Sequence, residues 1–145
     1  MTNTISISFE LNTSNDQAEL GFEAWVDDEK FVDIDHVQGR QLIKIDMSDT
    51  DGEHTLKLIL KNKTAAHTKI DEQGNILSDA TLAISDLAFD EIKLGHMTTK
   101  LATYSHDFNG TKEPVQDQFY GEMGCNGVVG LKFTTPIYLW LLENM

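Results

Sequence analysis

Wherever apolar residues cluster in this chain, they fall at every second position. Ile5, Ile7, Phe9 and Leu11 alternate with Ser6, Ser8 and Glu10. Phe22, Ala24 and Val26 alternate with Glu23, Trp25 and Asp27. Ile43, Ile45 and Met47, then Leu56, Leu58 and Leu60, then Leu82 and Ile84, keep the beat. Leu87, Phe89, Ile92 and Leu94 continue it after a change of phase, and the slip between Phe89 and Ile92 predicts a bulge. Val129, Leu131 and Phe133 follow. Successive side chains of a strand point to opposite faces, so this pattern predicts strands with one apolar face. Helical periodicity is hard to find anywhere.

The breaks agree. NTSNDQ, DTDG, DEQG, FNGTKEP and GEMGCNG are turn or loop signals between the runs. Such spacing predicts about eight to ten short strands in an all-β fold, a β-sandwich or jelly roll. The 145 residues suit one domain, 1–145, with enough chain for a real core. The stretch 105–127 is expected to be a long loop, of the kind that is usually functional or an interface arm. Pro136 is expected to open a last strand from Ile137 to Leu142. That strand is apolar on both sides, which calls for cover on both, by the domain itself or by a partner.

Charge narrows the partners. There are 24 acidic and 11 basic residues, a formal net charge of -13, so phosphate backbones and anionic lipid surfaces are repelled. No nucleic acid and no membrane are expected among the partners. The one cysteine, Cys125, forms no intramolecular disulfide. The opening MTNTISISFELN lacks a charged start and an apolar segment, which predicts folding in a cytoplasm. The sequons at Asn12, Asn62 and Asn109 carry little meaning in that setting.

Catalytic and metal motifs are not found. DMSDTDGEHTLKL places Asp49, Asp51 and Gly52 as a calcium loop would, but Met47 and Leu58 hold the first and twelfth positions. No zinc spacing, G-x-S-x-G elbow, P-loop or H-E-x-x-H occurs. His106 and Asp107 are adjacent, and strand neighbours point apart. His54 shares the face of Leu56, Leu58 and Leu60, and reads as a strand-end histidine with a local hydrogen bond. The expectation is a non-enzymatic protein. Binding chemistry is better represented. The alternation turns Trp25 away from Phe22, Ala24 and Val26, and an outward indole can stack on a sugar ring or anchor a protein contact unless a loop covers it. Tyr104, Phe119 and Tyr120 flank or lie within the long loop, as further contacts or as pins to the core.

GEHTLKLILKNKTAAHTKIDEQGNILSDATLAISDLAFDEIKL, residues 52–94, resembles the central part of calcium-dependent xylan-binding carbohydrate-binding modules. The matching positions are Gly52, His54, Leu56, Leu58, Leu60, Asn62, Asp79, Leu82, Ile84 and Ile92, and LGFEAWVDDEKF looks like the preceding strand. The resemblance implies a jelly roll and a bound calcium, for which Asp71, Glu72 and Asp79 are the candidate ligands, with solvated turn residues as the alternative. CNGVVGLKFTTPIYLWLLENM is similar to the C-termini of small virion proteins of T4-like phages of marine bacteria. That second resemblance implies an accessory part of a capsid or tail, made in the host cytoplasm and carried on the virion. Its partners would be other virion proteins or copies of itself, together with glycans. The alternative is a stand-alone calcium-dependent carbohydrate-binding module.

Overall fold

The computed structural model describes residues 4–14, 20–48, 51–62, 72–73, 81–106, 113–124 and 126–144, and the backbone of 68–70 and 76–79. Its strands are β1 (Thr4–Thr13), β2 (Gly21–Val26), β3 (Glu29–Ile34), β4 (Arg40–Ser48), β5 (Gly52–Lys61), β6 (Thr68–Ile70), β7 (Ile76–Asp79), β8 (Leu82–Phe89), β9 (Ile92–Lys93), β10 (Thr103–His106), β11 (Val115–Gln118), β12 (Glu122–Met123) and β13 (Gly127–Thr135). Two helices, α1 (His96–Leu101) and α2 (Ile137–Asn144), complete it. One sheet runs β12-β8-β1-β4, with β9 beside β8. The other runs β11-β10-β13-β5-β2-β3, and β6 pairs with β7 alone. The two large sheets make an all-β sandwich, as the period-two pattern requires.

The core lies between them. Ile5, Ile7, Phe9 and Leu11 of β1 face Phe22, Ala24 and Val26 of β2 and Leu56, Leu58 and Leu60 of β5, all buried. Full burial of such a side chain stabilises by about 1.5–3 kcal/mol, so this shared face dominates the fold energetically. The aromatic part gathers at one end. Phe89 of β8 packs on Phe133 of β13 at 4.9 Å between ring centroids, and Trp140 of α2 meets Phe89 edge-on at 5.7 Å.

Three local expectations are corrected. The last apolar run is a helix rather than a strand. Ile137, Trp140 and Leu141 are buried at i, i+3 and i+4, which is one helical stripe. The Pro136 carbonyl accepts its first bonds, from Leu139 and Trp140. Second, the interval 105–127 is not loop throughout: β11 pairs there with β10 and the short β12 pairs with β8. Third, the phase slip is made differently. The bulge lies around Asp86 and Leu87, where the β1–β8 register shifts between Ser8 and Glu10. Between Phe89 and Ile92 the chain turns instead, through Asp90 and Glu91, both at positive φ, into the β8–β9 hairpin. Likewise, β6 and β7 form a hairpin within the polar stretch after β5.

Candidate functional site

The outer face of the six-stranded sheet is built from the residues between the core positions. In β5 these are Thr55, Lys57, Ile59 and Lys61, and in β13 they are Val128, Gly130, Lys132 and Thr134. Register then aligns distant parts of the chain. Trp25 lies opposite Lys57, Lys57 opposite Gly130, Gly130 opposite Thr103, and Thr103 opposite Gln118. At about 4.8 Å per strand, this row crosses the face over roughly 19 Å. The neighbouring row reads Glu23, Ile59, Val128, Ser105, Gln116. Gly130 is a notch in the middle, where an added Cβ would find only the Thr103 hydroxyl, at 3.7 Å.

An aromatic ring stands near each end. Trp25 is half-buried, and its Nε1–H donates to Glu23 Oε1 at 2.9 Å. Lys30 Nζ sits 5.7 Å from the centroid of its ring, a cation–π distance. Tyr120 is 76% exposed. Its hydroxyl donates to Gln118 Oε1 at 3.2 Å, and Gln118 Nε2 donates to the Thr99 carbonyl at 2.6 Å. The row therefore offers rings, amides, a hydroxyl and an ammonium on one surface.

A charge network fixes the Trp25 end. Lys61 Nζ lies 2.6 Å from Asp33 Oδ1 and 3.0 Å from Glu23 Oε2, and Lys30 Nζ lies 3.0 Å from Asp33 Oδ2. The hydrogen bonds from Trp25 and then Lys61 hold the Glu23 carboxyl below the usual range. Those from Lys61 and Lys30 do the same for Asp33. The Lys61 ammonium is raised in return, first by Asp33 and then by Glu23.

The other predicted residues fall elsewhere. Tyr104 and Phe119 are 7% and 1% exposed, packed edge to face at 6.2 Å. They pin β10 and the segment after β11 to the core and present no ring to solvent. Glu72 is exposed in a turn, whereas Asp71 and the side chain of Asp79 lie outside the described residues, as do Cys125 and Asp107. No group of three or more His, Cys, Asp and Glu gathers to hold a metal ion among the described residues. His106 is paired with Asp117 of β11, at 3.1 Å.

His54 makes the local bonds expected of it. Its Nδ1 lies 2.8 Å from Asp27 Oδ2 and its Nε2 3.2 Å from Thr135 Oγ1. Burial pushes the Asp27 carboxyl up, but the hydrogen bonds from His54 and the Thr55 N–H outweigh it and leave the carboxyl below the usual range. Thr135 is buried, with its hydroxyl 3.4 Å from the Gly52 carbonyl. The hydroxyl thus ties β13 to β5 and is not presented to a substrate.

The opposite sheet carries a different feature. Beside the β8 bulge, a groove of about 430 Å³ is lined by Phe9, Leu42, Ile43, Ala88, Lys44 and Lys93 among others. Leu42 is 77% exposed there.

A solved structure described as "vCBM60 in complex with galactobiose" is similar over 87% of this chain and 96% of its own, with a TM-score of 0.52 and 9% sequence identity. That likeness establishes the fold as one of the carbohydrate-binding-module type. No protein-family profile and no curated protein matches the sequence.

Proposed function

We propose that this chain is a non-catalytic glycan-binding domain that uses the outer face of its six-stranded sheet. The observation that carries this reading is the cross-strand row from Trp25 through Gly130 to Gln118, with Tyr120 beyond it. Sugar rings have apolar faces that stack on aromatic rings, and hydroxyls that pair with amides and ammonium groups. The notch at Gly130 lets a chain of sugars lie against the backbone between the two rings. The resemblance to xylan-binding modules and the glycan held by the structural neighbour support the same ligand class. The test is a glycan array followed by calorimetric titration of the wild type and Trp25→Ala. Binding lost in the variant supports the row, whereas equal binding by both removes Trp25, and with it this face.

A second reading concerns where the domain works. The C-terminal likeness to phage virion proteins proposes an accessory part of a capsid or tail. The specific observation favouring it is α2, which buries Ile137, Trp140 and Leu141 in the core and leaves Tyr138, Leu139 and Leu142 exposed. They would dock on other virion proteins or on a second copy. Light scattering across a concentration series, with Leu139→Glu/Leu142→Glu as the comparison, tests the self-docking arm, and sedimentation with purified particles tests the virion arm. Calcium dependence through Asp71, Glu72 and Asp79 is a separate proposal. A bound ion would raise the melting temperature by mass action, and equal melting in calcium and in chelator would reject it.

A further inference from the structure

We infer that this face selects acidic glycans, with Lys57 and Lys132 receiving one uronate carboxylate beside Trp25. The inference rests on the glycan-binding reading above and narrows its ligand class. Four lysines lie on the outer face of the six-stranded sheet: Lys30, Lys57, Lys61 and Lys132. Two of them are neutralised, since Lys30 and Lys61 share Glu23 and Asp33. Lys57 and Lys132 make no ion pair among the described residues, in a chain with more than twice as many acidic as basic side chains. Lys57 helps to hold the Asp27 carboxyl down without reaching ion-pair distance, so two ammonium groups stand on this face without a close counter-ion among the described residues.

Their placement suits one anion. Lys57 is opposite Gly130 and Thr55 is opposite Lys132, so the two lysines are diagonal neighbours on one face. Diagonal Cβ atoms lie roughly 7–8 Å apart, close enough for two long side chains to converge on a single carboxylate. Gly130 beside them contributes no side chain to fill the space. Trp25, directly across from Lys57, supplies a stacking surface for the ring that carries the carboxylate. Glu53 stands at the other diagonal of Lys132, at the end of β5. An ammonium is a point charge with three donors, so it accepts a carboxylate without requiring the fork geometry of arginine.

The experiment uses matched ligands. Oligosaccharides of xylan, galactan and mannan backbones, each bearing one uronate, are titrated calorimetrically beside the same compounds with the carboxyl reduced to an alcohol. The expected result is a preference of roughly tenfold for the acid, since each exposed charge pair contributes modestly. Lys57→Gln/Lys132→Gln should bring the acid to the affinity of its reduced partner, with the reduced partner losing no more than the hydroxyl contact of Lys57. Lys93→Gln, on the other sheet, should alter neither. Equal affinity for acid and reduced forms in the wild type overturns the inference and leaves glycan binding standing. A preference that survives in the double variant overturns the assignment to these lysines. No binding to any compound overturns the inference together with the reading it rests on.

Discussion

The two outer faces of the sandwich are built from the same alternation and differ in what it exposes. On the six-stranded sheet, register lines up Trp25, Lys57, Gly130, Thr103 and Gln118 into a polar row with a notch. On the opposite sheet, the bulge at Asp86 and Leu87 breaks the alignment between β1 and β8. The exposed Leu42 there borders an apolar groove, with Glu10 and Arg40 paired at 2.7 Å nearby. From β2 to β11 the registers hold and give a continuous row of outward side chains, while the β2–β3 pair shifts at Trp25 and the shifted β1–β8 pair borders a hollow. The contrast teaches that a sheet face gains a row of functional groups only where several consecutive registers hold.

The largest expected effect removes the contrast altogether. Phe133 packs on Phe89 of the other sheet and on Trp140 of α2, so Phe133→Ala should cost about 3–5 kcal/mol. Urea unfolding measures it, and loss below about 1 kcal/mol would show that the aromatic cluster does not join the sheets. Next comes Trp25→Ala, which should weaken glycan binding by roughly tenfold or more, while Leu42→Ala leaves it unchanged. Calorimetric titration of both variants sharpens the comparison directly, and an effect from Leu42 would move the site to the groove. Gly130→Gln should lower affinity several-fold, roughly as far as an exposed contact allows, with the melting temperature unchanged. The added Cβ meets only the Thr103 hydroxyl, at the ordinary contact distance of 3.7 Å, so a drop in stability would speak against the geometry described.

The smallest effect is on pH dependence, and it too should be confined to one side. Glu23, Asp27 and Asp33 hold carboxyls depressed in the folded state, and all belong to the six-stranded sheet or its β2–β3 turn. Their stabilisation is complete above the ordinary carboxylate range and is lost as pH falls through the lowered folded values. Melting temperature should therefore begin to drop below about pH 4. Glu23→Gln/Asp33→Asn should flatten that drop. An unchanged acid profile in this variant would show that the network contributes nothing measurable, as many exposed ion pairs do.

Much of this was legible beforehand, for reasons that can be named. The core faces of β1, β2, β5 and β13 followed from alternation, because burial of one face repeats every second residue. The outward position of Trp25 and the local bonding of His54 followed from the same rule. The sequence also contained the helix α2, since Ile137, Trp140 and Leu141 fall at i, i+3 and i+4. The run is apolar on every side, and such a run fits a strand as readily as a helix. Tyr104 and Phe119 could be read as contacts or as pins, and only burial separated them from Tyr120.

What the sequence by itself determined, then, is local: which side chains share a face, where the chain breaks, and that a chain this acidic still carries a few lysines between its core leucines. The tertiary structure decided which faces meet. Residues 25, 57, 130, 103 and 118 stand in one row because five strands pair in an order the chain does not follow. Pairing register is set by long-range backbone hydrogen bonds and by burial of the inner faces, and no spacing along the chain records it. Lys57 and Lys132 are 75 residues apart in sequence (132 less 57), and become diagonal neighbours only when β5 and β13 close the sheet.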